Sequence, residues 1–307
     1  MSKHFTLPYD GGLIERGLPK GILHSFEKIT TEIYSESRDA SKAIADIIVD
    51  AINTAPKERL FKLGLTTGAT PVSLYHELAR RFQAGKVSFK NVEIVSIDEY
   101  YPAEKSEFQS RNYRLHESLI DRIDILKENV HIPDGAVPQG KVSEYCAEFD
   151  KIAHEIDLLV IGVGEQGQLG FNEAGSTEKS RTRTVRFPYP SRKRQARNFN
   201  GDIAATPASG ITIGISTMLS ANRIILMAWG EDKAQAVKDI AEGEVTSACP
   251  ASFLQHHDNI TFYVDENAAT LLTRVTAPWL VGPCDWTRKF IRKAVVWLCQ
   301  RVGKPIL

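Results

Sequence analysis

Apolar positions recur along the chain in two rhythms that alternate. Over residues 37–53, Ala40, Ile44, Ile47, Ile48 and Ala51 fall at helical intervals and predict one buried helix face. Short apolar runs at 60–65, 92–97, 156–162, 210–215, 223–228 and 259–264 have strand length and predict buried strands. Between them, 71–84, 111–119 and 233–242 predict helices, the first with Pro71 in its opening turn, where a missing N–H costs nothing. Strand and helix in alternation predict an α/β fold of three layers: a mostly parallel central sheet, helices on both faces, Rossmann-like and doubly wound. Residues 285–301 predict an amphipathic terminal helix. The polar, basic segment 181–207 has no clear period and is too long for an ordinary connection. It is either disordered or a functional lid.

Composition narrows the class. The 307 residues are 42% hydrophobic and 25% charged, as in ordinary globular proteins. A chain of this length buries enough core to need no disulfide or metal staple. Lys plus Arg equals Asp plus Glu at 38 each, and this balance argues against a nucleic-acid partner. Cys146, Cys249, Cys284 and Cys299 lie far apart without metal-ligand spacing, so a metal site or disulfide framework is not expected. Reduced thiols and the absence of a signal-like apolar start point to a cytoplasmic protein. No run approaches the roughly 20 apolar residues of a membrane span, so no membrane partner is expected.

Three loops follow predicted strands, where open parallel sheets hold their ligands. The first is Thr66-Thr67-Gly68-Ala69-Thr70-Pro71, a small-residue turn into a helix. Its backbone N–H groups and the helix dipole suit a phosphate, and the same residues also make a plain strand–helix turn. In the second, Asp98 and Glu99 end a strand. Adjacent strand residues point to opposite faces, so one of the two can serve a pocket as a general base while either can cap a helix. The third runs from Gly162 to Glu173 and contains a formal G-x-G-x-x-G at Gly162, Gly164 and Gly167. Turn chemistry follows it, and no acid stands near position 185, so nicotinamide binding is rejected.

Together, in this order, the loops resemble the glucosamine-6-phosphate deaminase (isomerase) family. The pieces are LGLTTGATP at 63–71, FKNVEIVSIDEYY at 89–101, GVGEQGQLGFNEAGS at 162–176, SRTRTV at 180–185 and ITIGISTMLSANRIILMAWGEDKAQAV at 211–237. Gly170-Phe171-Asn172-Glu173 separates this family from the related 6-phosphogluconolactonases. The likeness covers about residues 26–272. It implies a domain at 28–275, with an N-terminal extension at 1–27 punctuated by glycines. A C-terminal extension at 276–307 resembles the continuation of longer bacterial relatives that carry a further deacetylase-like domain.

The resemblance also implies an activity: conversion of glucosamine 6-phosphate to fructose 6-phosphate and ammonia in amino-sugar (N-acetylglucosamine) catabolism, without a cofactor. The family's proton-transfer aspartate falls on Asp98 and its supporting glutamate on Glu173. The family's ring-opening Asp and His fall on Gln166 and Gln168, and a glutamine amide has no accessible protonation change. The phosphate-binding Lys and Arg fall on Lys233 and Arg197. Thr67, Gly68, Ala69, Thr70, Gly164, Gly167 and Asn172 complete the implied substrate set. Ala69 stands for a family glycine and is tolerated unless that position needs a positive φ. Ser176 and Arg183 match positions of an allosteric site, but a matching lysine is Val185, so this regulation is not expected. A phosphorylated amino sugar is the expected ligand and a homo-oligomer the expected assembly. The alternatives are a sugar-phosphate-binding or regulatory domain with weak or no catalysis, or an isomerase of a different sugar phosphate.

Overall fold

Seven strands form one sheet in the order β1-β10-β9-β6-β2-β3-β5, with every neighbouring pair parallel. They are β1 (Thr30–Tyr34), β2 (Phe61–Leu65), β3 (Val92–Ser96), β5 (Val130–His131), β6 (Leu158–Gly162), β9 (Ile224–Ala228) and β10 (Ile260–Asp265). This computed structural model describes residues 26–305, so nearly all of the expected N-terminal extension lies outside the described residues.

The central strands bury both faces, and the period of two shows which residue goes where. In β9, Ile224 and Leu226 join one core while Ile225 and Met227 join the other; in β6, Leu159 and Ile161 oppose Leu158 and Val160. Helices α1 (Ser37–Thr54), α2 (Val72–Gln83) and α3 (Arg111–Ser118) pack one face through Ile44, Leu78 and Leu115. Helices α4 (Val142–Ile152), α6 (Ile215–Leu219) and α7 (Ala234–Ala241) cover the other through Phe149, Met218 and Ile240. The fold is therefore the three-layer α/β arrangement that the pattern predicts.

Five elements differ from the expectation or add to it. The run at 210–215 does not join the parallel sheet. Its strand, β8 (Ser209–Thr212), pairs antiparallel with β4 (Asp98–Tyr101) and β7 (Arg183–Arg186) in a separate three-stranded sheet. The segment 181–207 is ordered as β7, α5 (Tyr189–Gln195) and a 3-10 turn, Ala196–Phe199. Its anchors are Phe187 and Phe199, which pack on Tyr100 with ring centroids 6.3 and 5.3 Å away. Strand β1 and helix α4 are additions to the elements read from periodicity. The terminal helix, α8 (Arg288–Val302), starts three residues later than expected.

Strand order reverses between β2 and β6. That switch point opens a crevice at their carboxyl ends, and the loops after β2, β3, β6 and β9 surround it.

Candidate functional site

The turn after β2 is held from two sides. Tyr75 donates its hydroxyl to the Thr66 carbonyl, and the Trp229 indole donates to the Thr70 carbonyl at 2.9 Å. Gly68 takes the left-handed backbone, φ +114°, while Ala69 does not, so its methyl group carries no backbone strain there. Thr67, Gly68 and Ala69 line a cleft of about 310 Å³. Thr70 does not: its carbonyl holds Trp229, and its side chain packs under Gly162.

The acidic pair after β3 divides its work. Asp98 is 3% exposed and lies beside this cleft; a Cβ added to Gly170, which lines it, would stand 3.2 Å from Asp98 Oδ2. Glu99 points elsewhere. Its carboxylate accepts from the backbone N–H of Arg111 and of Asn112, each at 2.8 Å, and so caps α3. That helix carries Arg111, whose Nε is 3.7 Å from Asp98 Oδ1 and whose guanidinium stacks 4.8 Å from the Tyr100 ring centre. Burial raises the Asp98 carboxyl above the ordinary aspartate value, against the opposing pull of Arg111 and of the nearby Thr67 hydroxyl. Asp98 Oδ1, Arg111 Nε and Thr67 Oγ1 are all buried without a hydrogen-bond partner, an unusual concentration of unused polar atoms.

The glycine loop after β6 folds back as a tight antiparallel turn. Val163 bridges Leu169, Leu169 bridges Asn172, and Gly164 N–H donates to the Gln168 carbonyl at 2.9 Å. No helix opens on this loop, which agrees with rejecting a dinucleotide site. Gly167 has φ +75° and lies so close to Cys249 that a Cβ would fall 2.3 Å from its Sγ. The position is therefore a tight turn against a neighbouring segment, outside the cleft lining. Asn172 is fully buried: its amide donates to the carbonyls of Leu169 and Ile213 at 3.0 and 2.8 Å and accepts from Arg183 at 2.9 Å. It anchors the loop from behind.

Two glutamines form a fixed amide chain at the cleft wall. Gln168 Oε1 accepts from the Gln166 backbone N–H at 3.0 Å, and Gln168 Nε2 donates to Gln166 Oε1 at 3.1 Å and to Glu173 Oε2 at 3.3 Å. Arg194 also donates to Gln166 Oε1, at 3.3 Å. Gln168, Glu173 and Gly164 line the cleft, whereas Gln166 lies outside the lining and holds Gln168 through its backbone N–H and its side-chain oxygen. No histidine among the described residues lines it. His256 meets Glu178 and His257 meets the Ala221 carbonyl.

Cations close the cleft. Lys233 stands in the 3-10 turn Glu231–Lys233 before α7, 2.8 Å from Asp232 and 3.9 Å from Glu165. Arg197 and Arg194 come from the ordered 181–207 segment. The fold thus brings Thr67, Gly68, Ala69, Asp98, Gly164, Gln168, Glu173, Arg197 and Lys233 to one crevice. Arg111 and Arg194 are additions to the residues read from sequence. Arg111 carried a usable signal: a cation at a helix start runs against the helix dipole and needs a special reason.

The family model for glucosamine-6-phosphate isomerases/6-phosphogluconolactonase matches residues 35–263. The chain belongs to that family. Among curated members, it is 39% identical over 297 residues to a protein of Bacteroides thetaiotaomicron named putative glucosamine-6-phosphate deaminase-like protein. The match covers 95% of this chain and 45% of that protein, so this chain spans about half of that relative's length. It is 39% identical over 214 residues to glucosamine-6-phosphate deaminase 2 of Bacillus subtilis, covering 68% of this chain and 85% of that one. A solved structure described as a monomeric glucosamine-6-phosphate deaminase superposes with a TM-score of 0.75 at 31% identity, covering 79% of this chain and all of that one. A 6-phosphogluconolactonase from Trypanosoma brucei shares the fold at a TM-score of 0.63 and 18% identity. Within the family the chain therefore has named deaminases among its closely similar members and resembles the lactonase in fold.

Proposed function

We propose that this chain is a glucosamine-6-phosphate deaminase-like enzyme that isomerises an open-chain amino-sugar phosphate and releases ammonia. The observation that carries the reading is the buried carboxylate of Asp98 in one crevice with the phosphate turn and with Lys233 and Arg197. A phosphate bound at Thr67–Ala69, Lys233 and Arg197 would fix one end of the sugar and bring the other toward Asp98. Asp98 then takes the proton from C2, the C–H electron pair becomes the C1–C2 double bond while the C1 carbonyl oxygen takes a proton from water, and the same carboxyl, its proton exchanged with water, protonates C1. Water attacks the resulting C2 iminium, and ammonia leaves to give the ketose. Gln168 and Glu173 hold sugar hydroxyls by hydrogen bonds. Residues 28–275 form the catalytic unit, with 276–307 as an extension. The reading assigns the protein to N-acetylglucosamine catabolism in the cytoplasm, where its charged substrate is retained. No described helix is long and apolar enough to cross a membrane.

The glutamine pair favours a second reading. Positioned acid–base groups contribute about 10²–10⁴-fold, and neither amide can titrate. A domain with this wall could bind the sugar phosphate and turn it over slowly or not at all. Purified protein incubated with glucosamine 6-phosphate, with fructose 6-phosphate and ammonia both measured, separates the two. Stoichiometric release of both supports the enzyme; saturable binding without either product supports the binding domain.

A further inference from the structure

The Thr67–Ala69 turn also lines a second cavity. It holds about 400 Å³ between α2 and α3 and shares the turn and Arg111 with the candidate cleft. That volume suits a small molecule rather than a few waters. Three guanidiniums line it: Arg111, Arg114 and Arg122. Their nearest carboxylates leave them under-used. Glu117 stands 3.8 Å from Arg114, Asp98 stands 3.7 Å from Arg111, and neither contact is a hydrogen bond. Arg122 spends its Nε on the Glu117 carbonyl at 2.8 Å and has no carboxylate within 4.0 Å among the described residues. Arg114 stacks 4.0 Å over the Phe108 ring. Stacking uses the face of a guanidinium and leaves its in-plane donors free for a forked acceptor.

We propose that this pocket is a second anion site, which takes a carboxylate or phosphate group on Arg111, Arg114 and Arg122 in addition to the substrate's own phosphate. The cations of the first cleft, Lys233, Arg194 and Arg197, already supply one phosphate. Three further arginines gathered around an adjoining hollow exceed what a monophosphate needs, and forked pairing with an anion is the contact a guanidinium makes best. Arg111 and the turn are walls of both cavities, so the two anions sit side by side. They belong either to one ligand with two anionic groups or to a sugar phosphate and a separate small anion. The inference rests on the deaminase-like reading only for the placement of the first phosphate.

Calorimetric titration of the full chain with inorganic phosphate tests it. The expected stoichiometry is two phosphates per chain in the wild type. Lys233→Ala is expected to keep the site between α2 and α3, and Arg114→Gln/Arg122→Gln to keep the first site, each weakening the altered site about tenfold or more. Arg122→Gln alone, at an exposed position, moves affinity the same way without burdening folding. A single phosphate, lost in Lys233→Ala and unchanged in the double variant, overturns the second site and leaves the first standing. A single phosphate lost only in the double variant overturns the assignment of Lys233 instead. Given two sites, competition with glucosamine 1,6-bisphosphate separates the sources: displacement of both phosphates means one bisanionic ligand, and displacement of one means a separate small anion.

Discussion

Asn172→Ala separates two roles for a residue that the sequence motif assigns to the substrate. In the structure its amide makes two hydrogen bonds to the Leu169 and Ile213 carbonyls and accepts one from Arg183. Each neutral bond contributes about 1 kcal/mol and the charge-assisted one about 1.5–3 kcal/mol. Arg183 is only partly buried, so water replaces some of its loss. The two carbonyls lie in the core, where water does not easily follow. A loss of about 3 kcal/mol is the expected outcome, large for one polar side chain. Urea unfolding of the two proteins, compared at equal slope, measures it. Turnover is expected to fall as well, because the loop that carries Gln168 and Glu173 loses its rear anchor. A variant less than about 1 kcal/mol destabilised, with a raised KM and unchanged kcat, would refute the anchor role and make Asn172 a direct substrate contact.

Three further outcomes follow from the same geometry. Asp98 must be ionised to take a proton, and burial raises its pKa, so the acidic limb of kcat/KM is expected above the ordinary aspartate value of 3.8; a limb at or below that value contradicts the burial argument. A carboxyl raised in the fold favours folding while protonated, so its stabilisation is full below 3.8 and is lost as pH rises through the folded pKa. Asp98→Asn never ionises and is therefore expected to be more stable than wild type at neutral pH, with the difference closing in acid; a less stable variant at neutral pH overturns this sign. Lys233→Ala is expected to raise KM for glucosamine 6-phosphate about tenfold or more, from the loss of roughly 1.5–3 kcal/mol of charge-assisted hydrogen bonding; an unchanged KM removes the phosphate assignment.

Local pattern reveals this fold where burial is complete and strands are short. The runs that became β6 and β9 are apolar on both faces, those of β2, β3 and β10 are apolar at most positions, and all five read directly as interior strands. Strand β1, Thr30-Thr31-Glu32-Ile33-Tyr34, sits at the sheet edge and opens with three polar residues, so it leaves no continuous apolar run. Segment 181–207 is held by two aromatic anchors on Tyr100, a contact between distant residues that no local period contains. The run at 210–215 is apolar enough for the main sheet, but its partners are β4 and β7, and only chain topology decides that. The site shows the same division. Asp98, Glu173 and Lys233 are legible from their motifs, and the strand alternation foretells that Asp98 and Glu99 diverge. What Asn172 and Gly167 face, and that Arg111 meets Asp98, depends on packing across the crevice.

Proton transfer at Asp98 is the central claim, and exchange in deuterated water tests it most directly. Wild type and Asp98→Asn would each be followed by proton NMR with glucosamine 6-phosphate in D₂O. The account predicts fructose 6-phosphate carrying deuterium at C1 from the wild type, and neither product nor exchange at C2 from the variant. Equal exchange in both proteins, or a folded wild type that binds the sugar phosphate with no exchange at C2, would contradict it.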